Sequence, residues 1–231
     1  MRLLVLGRGK TGALVAEVAK ERGHDVRVLG GAENPGGAAL TPEALAGVDA
    51  VIDFTTPQAV IPNIIGAMQA GKPMVVGTTG WYDKLATVRE LVRESNGSLL
   101  YAPNFSVSVN LFFEAARAAA LALQHGYAAH IVERHHAQKK DAPSGTAARI
   151  QQVVKEASGK ELEITSIREG DVIGTHVLLF DSPNDTMMFT HDAKSRRGFA
   201  EGAVIGAEWI AGKRGFFEFK DVLAPSPGQP K

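Results

Sequence analysis

The densest group of chemically active side chains lies in residues 133–146, which read ERHHAQKKDAPSGT. His135 can exchange a proton near neutral pH, and Lys139 can protonate or stabilise an anion. Ser144 can cap a following helix, whose free N–H groups attract carboxylates and phosphates. The segment therefore predicts proton transfer beside an anionic ligand. The alternatives are a solvated turn for the lysines and a metal pair for His135 and His136.

The residue spacing does not favour the metal alternative. The H-E-x-x-H pattern of zinc hydrolases is absent, and the chain has no cysteine to complete a structural zinc site. We expect no bound metal. A second basic group, residues 194–197 with the sequence KSRR, includes Arg196. By default it is a surface loop, although it would also suit a small dianion.

A glycine-rich turn near the start of the chain is the second candidate site. Residues 7–12, GRGKTG, fit the G-x-G-x-x-G pattern between a predicted strand and a predicted helix. In that pattern Gly7 permits a tight turn, Gly9 lets a pyrophosphate approach the backbone, and Gly12 lets the helix pack closely. The pattern favours dinucleotide binding, and the alternative is a glycine turn that only joins strand to helix.

Alternating strands and helices are predicted to position this glycine-rich turn. Helices separate short apolar runs at residues 3–6, 25–29, 50–54, 72–77 and 98–102, which predicts a doubly wound α/β parallel sheet. Small polar loops at 53–56 and 77–80 follow two of these strands, where such sheets bind ligands. NAD-binding sheets usually carry an acid at the end of the second strand. Here the nearest acid, Glu33, lies in a glycine loop, so NADH and NADPH both remain open.

The pattern changes after residue 104. Helices are predicted over 109–123 and 146–157, and three strands follow one another at 163–168, 175–180 and 186–191. Strands without intervening helices indicate an α+β domain with a mostly antiparallel or mixed sheet. A helix over 201–211 and a short strand over 216–219 come last, and residues 224–228 are predicted to form a loose tail.

Composition limits the class of protein. The chain has 231 residues, of which 45% are hydrophobic and 22% charged, so it can form a substantial core. Twenty-five basic and 25 acidic residues give a formal net charge of +0, which argues against a nucleic-acid partner or an anionic membrane. The absence of cysteine excludes disulfides, and the first residues lack signal-peptide character. We expect a cytoplasmic protein.

Residues 133–147 resemble the signature of the dihydrodipicolinate reductase (4-hydroxy-tetrahydrodipicolinate reductase) family of lysine and diaminopimelate biosynthesis. Further matches extend over nearly the whole chain: residues 7–12, 53–55, 77–80, 102–106, Asn110, 195–196 and 219–223. The family resemblance implies a Rossmann-type dinucleotide-binding domain, residues 1–106 and 207–231, and a substrate-binding and oligomerisation domain, residues 107–206. It also implies a homotetramer that uses NADH or NADPH to reduce a small dicarboxylate.

The resemblance also implies site residues. His135 and Lys139 would be the catalytic proton donors. The substrate would contact His136, Gly145 and Thr146. The chemistry of the residues adds Ser144, at the start of the predicted helix, and the basic Arg196 as substrate contacts. The cofactor would contact Gly7, Arg8, Gly9, Lys10, Thr11, Gly12, Gly77, Thr78, Thr79, Ala102, Pro103, Asn104 and Phe105.

Two positions depart from the family pattern. Ser108 stands where relatives often have glycine, and no acid follows Leu29 directly. The second departure affects cofactor preference and not activity. The competing functions are another two-domain NAD(P)-dependent dehydrogenase and a catalytically silent NAD(P)-binding sensor.

Overall fold

The computed structural model describes residues 1–224, which form two compact units. Among the described residues, one unit contains Met1–Ser106 and residues 197–224, and the other contains Val107–Arg196. The second boundary lies before Arg197 and not after residue 206, because one continuous helix begins at Arg197 and belongs wholly to the first unit. From residue 225 onward, the predicted loose tail lies outside the described residues.

The first unit is built on a six-stranded parallel sheet with the order β2-β1-β3-β4-β5-β10. The central strands carry continuous apolar runs, because both faces of the sheet are covered. Leu4, Val51 and Val75 are fully buried. The strands are β1 (Arg2–Leu6), β2 (Asp25–Leu29), β3 (Ala50–Asp53), β4 (Met74–Val76), β5 (Ser98–Tyr101) and β10 (Gly215–Glu218).

Five helices accompany this sheet: α1 (Lys10–Glu21), α2 (Pro57–Gln69), α3 (Leu85–Glu94), α6 (Arg197–Ile210) and α7 (Phe219–Leu223). Thr41 followed by Pro42 is a typical helix start, a capping residue before a proline at the first helical position, and so predicts a short helix, but no helix forms here. The Thr41 hydroxyl accepts the N–H of Ala44 at 3.2 Å, but the segment continues as turns. Gly47 follows with a φ of 74°, which ends any helical run within two turns.

The second unit carries a mixed sheet with the order β7-β6-β8-β9, in which only β6 and β7 are parallel. The strands are β6 (Ala128–His135), β7 (Ile164–Arg168), β8 (Thr175–Asp181) and β9 (Thr186–Asp192), and helices α4 (Val107–Ala119) and α5 (Gly145–Ser158) cover one face. The register aligns Glu133 with His176 and His176 with His191. Three titratable side chains thus form a row across the sheet.

The described chain lacks any helix that combines the length and the apolar character needed to cross a membrane.

Candidate active site

The three glycines of the predicted fingerprint lie in the turn from β1 to α1 and have different surroundings. Gly7 has a φ of 106°, and a Cβ there would lie 2.2 Å from the carbonyl oxygen of Phe54. A Cβ on Gly12 would lie 2.1 Å from the carbonyl oxygen of Gly7. At Gly9 a Cβ would meet nothing within 4 Å. Gly7 and Gly12 are therefore required by packing, whereas Gly9 leaves open space.

This open space lies at the N-terminus of α1. Gly9 is the N-cap residue, and no side chain caps the helix. The first N–H groups of an α-helix have no acceptor within the helix and carry partial positive charge. The turn lies at the β1/β3 switch point, where the strand order reverses and open α/β sheets bind ligands. The arrangement therefore suits a phosphate.

Two clefts adjoin the turn, with volumes of about 270 and 290 Å³. Both contain Gly9, Phe54 and Thr55. Among the predicted cofactor residues, the smaller cleft is lined by Gly9, Lys10, Thr11, Gly12, Gly77, Thr78 and Thr79, and the larger by Gly7, Arg8 and Gly9.

The predicted contacts Ala102, Pro103, Asn104 and Phe105 line neither of these two clefts. The buried ring of Phe105 packs edge-to-face on Phe54, with the ring centroids 6.2 Å apart. This segment therefore contacts the wall of the clefts through Phe54.

Glu33 lies beside the end of β2, although the sequence places it in a glycine loop. Its carboxylate accepts the N–H of Gly30 at 2.7 Å and pairs with Arg8 at 2.9 Å. The loop folds back after Leu29, so an acid four positions beyond the strand reaches the place where an acid is expected. An acid thus pairs with Arg8, a basic residue that lines the larger cleft.

Sequence reasoning recognised the loop at Asp53 but missed the role of this side chain. Asp53 is fully buried, and its carboxylate accepts hydrogen bonds from the Thr55 N–H at 3.0 Å, the Thr78 hydroxyl and Asn63 at 2.7 Å. Burial raises the pKa of Asp53, against the effect of these donors. Asn63 in turn accepts a hydrogen bond from Asn34 at 2.8 Å. Asp53 therefore ties together the loops that line the clefts.

The second unit contains a buried group around His135. Glu133 and His135 both lie on the covered face of β6, because residues two apart on a strand share a face. Nδ1 of His135 contacts Oε2 of Glu133. Oε1 of Glu133 accepts hydrogen bonds from Arg168 on β7 at 2.7 Å and from the Ser144 N–H at 3.3 Å.

Both residues have shifted pKa values. Burial pushes the pKa of Glu133 upward, but hydrogen bonds from Arg168, Ser166 and His135 outweigh burial and lower the pKa to about 2. Glu133 is therefore ionised at neutral pH. Burial lowers the pKa of His135, while Glu133 opposes that shift.

His176 extends the buried group along β8. Its Nε2 lies 3.1 Å from the hydroxyl of Ser144, and the same hydroxyl accepts the Ala147 N–H at 3.2 Å to cap α5. Burial, followed by repulsion from His135 and His191, lowers the pKa of His176 to about 4. His176 is therefore neutral at pH 7, and its Nε2 shares a hydrogen bond with the Ser144 hydroxyl.

The remaining predicted residues of this unit differ in placement. Lys139 pairs with Asp141 at 2.8 Å, an exposed partner whose pKa this contact lowers. Gly145 and Thr146 form the first turn of α5, so their N–H groups have no acceptor within that helix. Arg196 is exposed, and within residues 1–224 the His135 group forms its ion pairs with other residues. His136 is half-buried at the end of β6.

Glu133, His135 and His176 offer ligand-type atoms that all lie within 4.8 Å of one another. Both oxygens of Glu133 already accept hydrogen bonds, and one donor is the cationic Arg168. The three side chains are therefore organised as a hydrogen-bonded network. The expected absence of a metal stays a prediction.

Sequence reasoning missed Arg168 and His176, which join the group only through strand register. The alternating side-chain directions of β8 could have indicated that His176 is buried, because it lies on the same face as the fully buried Leu178 and Phe180.

Comparisons with known proteins agree with this architecture. The family models "Dihydrodipicolinate reductase, N-terminus" and "Dihydrodipicolinate reductase, C-terminus" match residues 1–105 and 108–223. A 4-hydroxy-tetrahydrodipicolinate reductase of Christiangramia forsetii is 37% identical over 240 residues, covering 97% of this chain and 98% of that protein. Another 4-hydroxy-tetrahydrodipicolinate reductase, from Laribacter hongkongensis, is 39% identical over 201 residues, covering 78% of this chain and 74% of that protein.

The fold also resembles that of a dipicolinate-bound dihydrodipicolinate reductase from Paenisporosarcina sp. TG-14, with a TM-score of 0.80 and 24% identity, covering 96% of this chain and 98% of that one. The parallel sheet, its glycine turn and the second mixed sheet define a Rossmann-type oxidoreductase. Within that class the chain belongs to the dihydrodipicolinate reductase family. The predicted fold class and reductase function are confirmed.

Proposed function

We propose that this chain reduces the dihydrodipicolinate ring to tetrahydrodipicolinate in lysine and diaminopimelate biosynthesis, with NADH or NADPH as the hydride source. The ring substrate forms when the hydroxylated precursor loses water. One observation carries the proposal. A buried histidine bound to an ionised carboxylate lies on the strand that leads to Lys139 and to the N-terminus of α5, where the Gly145 and Thr146 N–H groups have no acceptor within the helix.

Gly7 to Gly12 and Gly77 to Thr79 are the proposed cofactor contacts, with Ala102 to Phe105 as a further segment. The space in front of Gly9 and the uncapped N-terminus of α1 fit a pyrophosphate. A bound nicotinamide would supply the hydride. Arg8 and Glu33 together suit either ribose, because an acid binds a free 2′-hydroxyl and an arginine binds a 2′-phosphate.

The proposed substrate contacts include the first residues of α5. A dicarboxylate needs cationic and N–H donors, which the Gly145 and Thr146 N–H groups supply, together with His136 and the exposed Arg196. Ser144 contributes by capping α5 with its buried hydroxyl. That the Paenisporosarcina protein was solved with dipicolinate bound supports a ligand with two carboxylates.

Proton transfer completes the proposed reaction. Hydride addition to the conjugated ring leaves an electron-rich, enamine-type anion, which must gain a proton. His135 is the proposed donor, and Lys139 is the proposed second donor. Nζ of Lys139 donates a hydrogen bond to Asp141 at 2.8 Å.

We propose a cytoplasmic homotetramer. The uncovered face of the mixed sheet carries apolar side chains, including Ile167 at 37% exposure and Met188 at 64%. Such a face suits burial against further copies of the chain.

The test is a coupled assay in which a dihydrodipicolinate synthase, supplied with pyruvate and aspartate semialdehyde, generates the substrate. We expect loss of NADH or NADPH absorbance that depends on both proteins. A dehydrogenase of another class would oxidise an alcohol and ignore this substrate. A cofactor-binding sensor would bind NADH or NADPH without turnover, and either result would refute the proposal.

A further inference from the structure

His135 is held by an unusually well-fixed carboxylate. Glu133 is fully buried and lies two positions before His135 on the same face of β6. Its Oε2 faces Nδ1 of the imidazole. Because Glu133 is ionised, it can only accept at that contact, so Nδ1 carries the hydrogen.

Glu133 is itself anchored from two other elements. Nη2 of Arg168 on β7 donates to Oε1 at 2.7 Å and also to the carbonyl oxygen of Asp141 at 2.7 Å. The Ser144 N–H, at the start of α5, donates to the same Oε1 at 3.3 Å. These contacts prevent the carboxylate from turning away from His135. The group therefore constrains both the position and the tautomer of the imidazole.

The opposite nitrogen of His135 is left open. Within residues 1–224, no hydrogen bond involves Nε2. A Cβ on Gly174 would lie 2.8 Å from Nε2, so the missing side chain at this position preserves the space in front of it. The two ring nitrogens thus have separate surroundings, one anchored and one free.

We propose that Glu133 is a positioning residue for the reaction: it holds Nδ1–H of His135 and so makes Nε2 the atom that delivers the proton. The proposal rests on the proposed function, and it adds a residue to which no role has been assigned. In the step itself, the N–H bond at Nε2 breaks and its electron pair stays on nitrogen. A C–H bond forms on the electron-rich ring, and His135 becomes the neutral Nδ1–H tautomer.

The carboxylate favours this step in two ways. It stabilises the imidazolium that donates the proton, and it fixes the donor in one orientation. A purely structural ion pair between Glu133 and Arg168 would require neither effect. If Glu133 is a positioning residue, removing its charge should change the pH profile of the reaction and the tautomer of His135. If Glu133 only forms an ion pair with Arg168, neither should change.

The test compares wild type with Glu133→Gln and with the control Glu169→Gln. Glu169 forms an exposed ion pair with Arg134 at 3.0 Å, so its substitution removes the same charge from a neighbouring strand end. The first readout is the ¹⁵N spectrum of the His135 ring, which identifies the protonated nitrogen without any turnover. The second is kcat across pH, with NADH binding measured in parallel.

We expect neutral His135 of the wild type to carry its proton on Nδ1. In Glu133→Gln, kcat should fall by roughly 10²-fold or more, since a general acid contributes at least that much, with NADH affinity unchanged. The groups facing His135 are Glu133 from β6, Lys139 from the following loop, Arg168 from β7 and His176 from β8. With the carboxylate gone, burial lowers the His135 pKa, and the charges of Lys139 and Arg168 lower it further with nothing to oppose them. The loss of activity that accompanies rising pH should therefore begin at a lower pH than in wild type. Glu169→Gln should behave as wild type.

Three results would overturn the proposal: a wild-type proton on Nε2 in the neutral form, normal turnover in Glu133→Gln, or reduced turnover with an unshifted pH profile. If Glu133→Gln does not fold, the wild-type tautomer decides. If wild type fails to turn over the ring substrate, the proposed function fails, while the spectrum still reports whether Glu133 sets the tautomer.

Discussion

Gly9→Ala separates what the glycine turn does for the fold from what it does for a ligand. The backbone at Gly9 has φ −69° and ψ 178°, which any residue adopts, and a Cβ would meet nothing within 4 Å. Alanine restricts the unfolded chain, a gain of about 0.4–1 kcal/mol, but is a poorer N-cap than glycine by about 0.5–1 kcal/mol. The free energy of unfolding should therefore change by less than about 1 kcal/mol.

Cofactor binding should change much more. The added methyl group would occupy the space where a pyrophosphate approaches the uncapped start of α1. Loss of one charged hydrogen bond costs about 1.5–3 kcal/mol, which is roughly 10- to 100-fold in Kd, since every 1.4 kcal/mol is about tenfold. Calorimetric titration with NADH and NADPH measures this, and urea unfolding measures stability.

Two further variants make the comparison specific. Gly12→Ala places a Cβ 2.1 Å from a carbonyl oxygen, whereas Cβ contacts under 3.0 Å are essentially never seen, so backbone atoms must shift to accept it. Gly12→Ala should therefore lower the free energy of unfolding as well as the affinity for the cofactor. Gly145→Ala, at the start of α5, also meets nothing within 4 Å and should weaken dipicolinate binding only. Unchanged cofactor affinity in Gly9→Ala would refute the placement of the pyrophosphate.

Two other predictions concern charge. Arg8→Ala should weaken NADPH binding more than NADH binding, and Glu33→Gln should weaken NADH binding more than NADPH binding. Each difference should be roughly tenfold in Kd, the contribution of one charged hydrogen bond. Parallel titrations with the two cofactors measure both differences, and equal losses for the two cofactors would contradict the prediction. Folding lowers the pKa of His176 from 6.5 to about 4, so as the pH falls His176 is protonated in the unfolded chain before it is protonated in the folded one. The free energy of unfolding should therefore decrease by at most about 3 kcal/mol between pH 6.5 and pH 4. Urea unfolding of wild type and His176→Asn across that range measures the drop, and an equally steep loss in the variant would exclude His176 as its source.

Much of the first unit could be predicted because its signals are local. Apolar runs define β1 to β5, and the glycine spacing locates the turn from β1 to α1. The absence of the helix expected at Thr41 also has a local cause, because the capping residue is present but Gly47 ends the helical segment too soon.

The second unit shows where local signals end. His135, Lys139 and Ser144 lie close together in the sequence, so their grouping is visible before folding. Arg168 and His176 reach the same group only because β7 and β8 flank β6 in a particular register. Strand pairing over tens of residues is not encoded in any short pattern.

The measurement that bears most directly on the account is turnover of His135→Gln in the coupled assay, compared with His130→Gln. His130 lies on the same strand but hydrogen-bonds Thr165 at 2.8 Å, away from the Glu133 group. We predict that His135→Gln loses roughly 10² to 10⁴ in kcat with unchanged cofactor affinity, while His130→Gln stays near wild type. Near-normal turnover in His135→Gln would contradict the account, because the proposed proton donor would then be unnecessary.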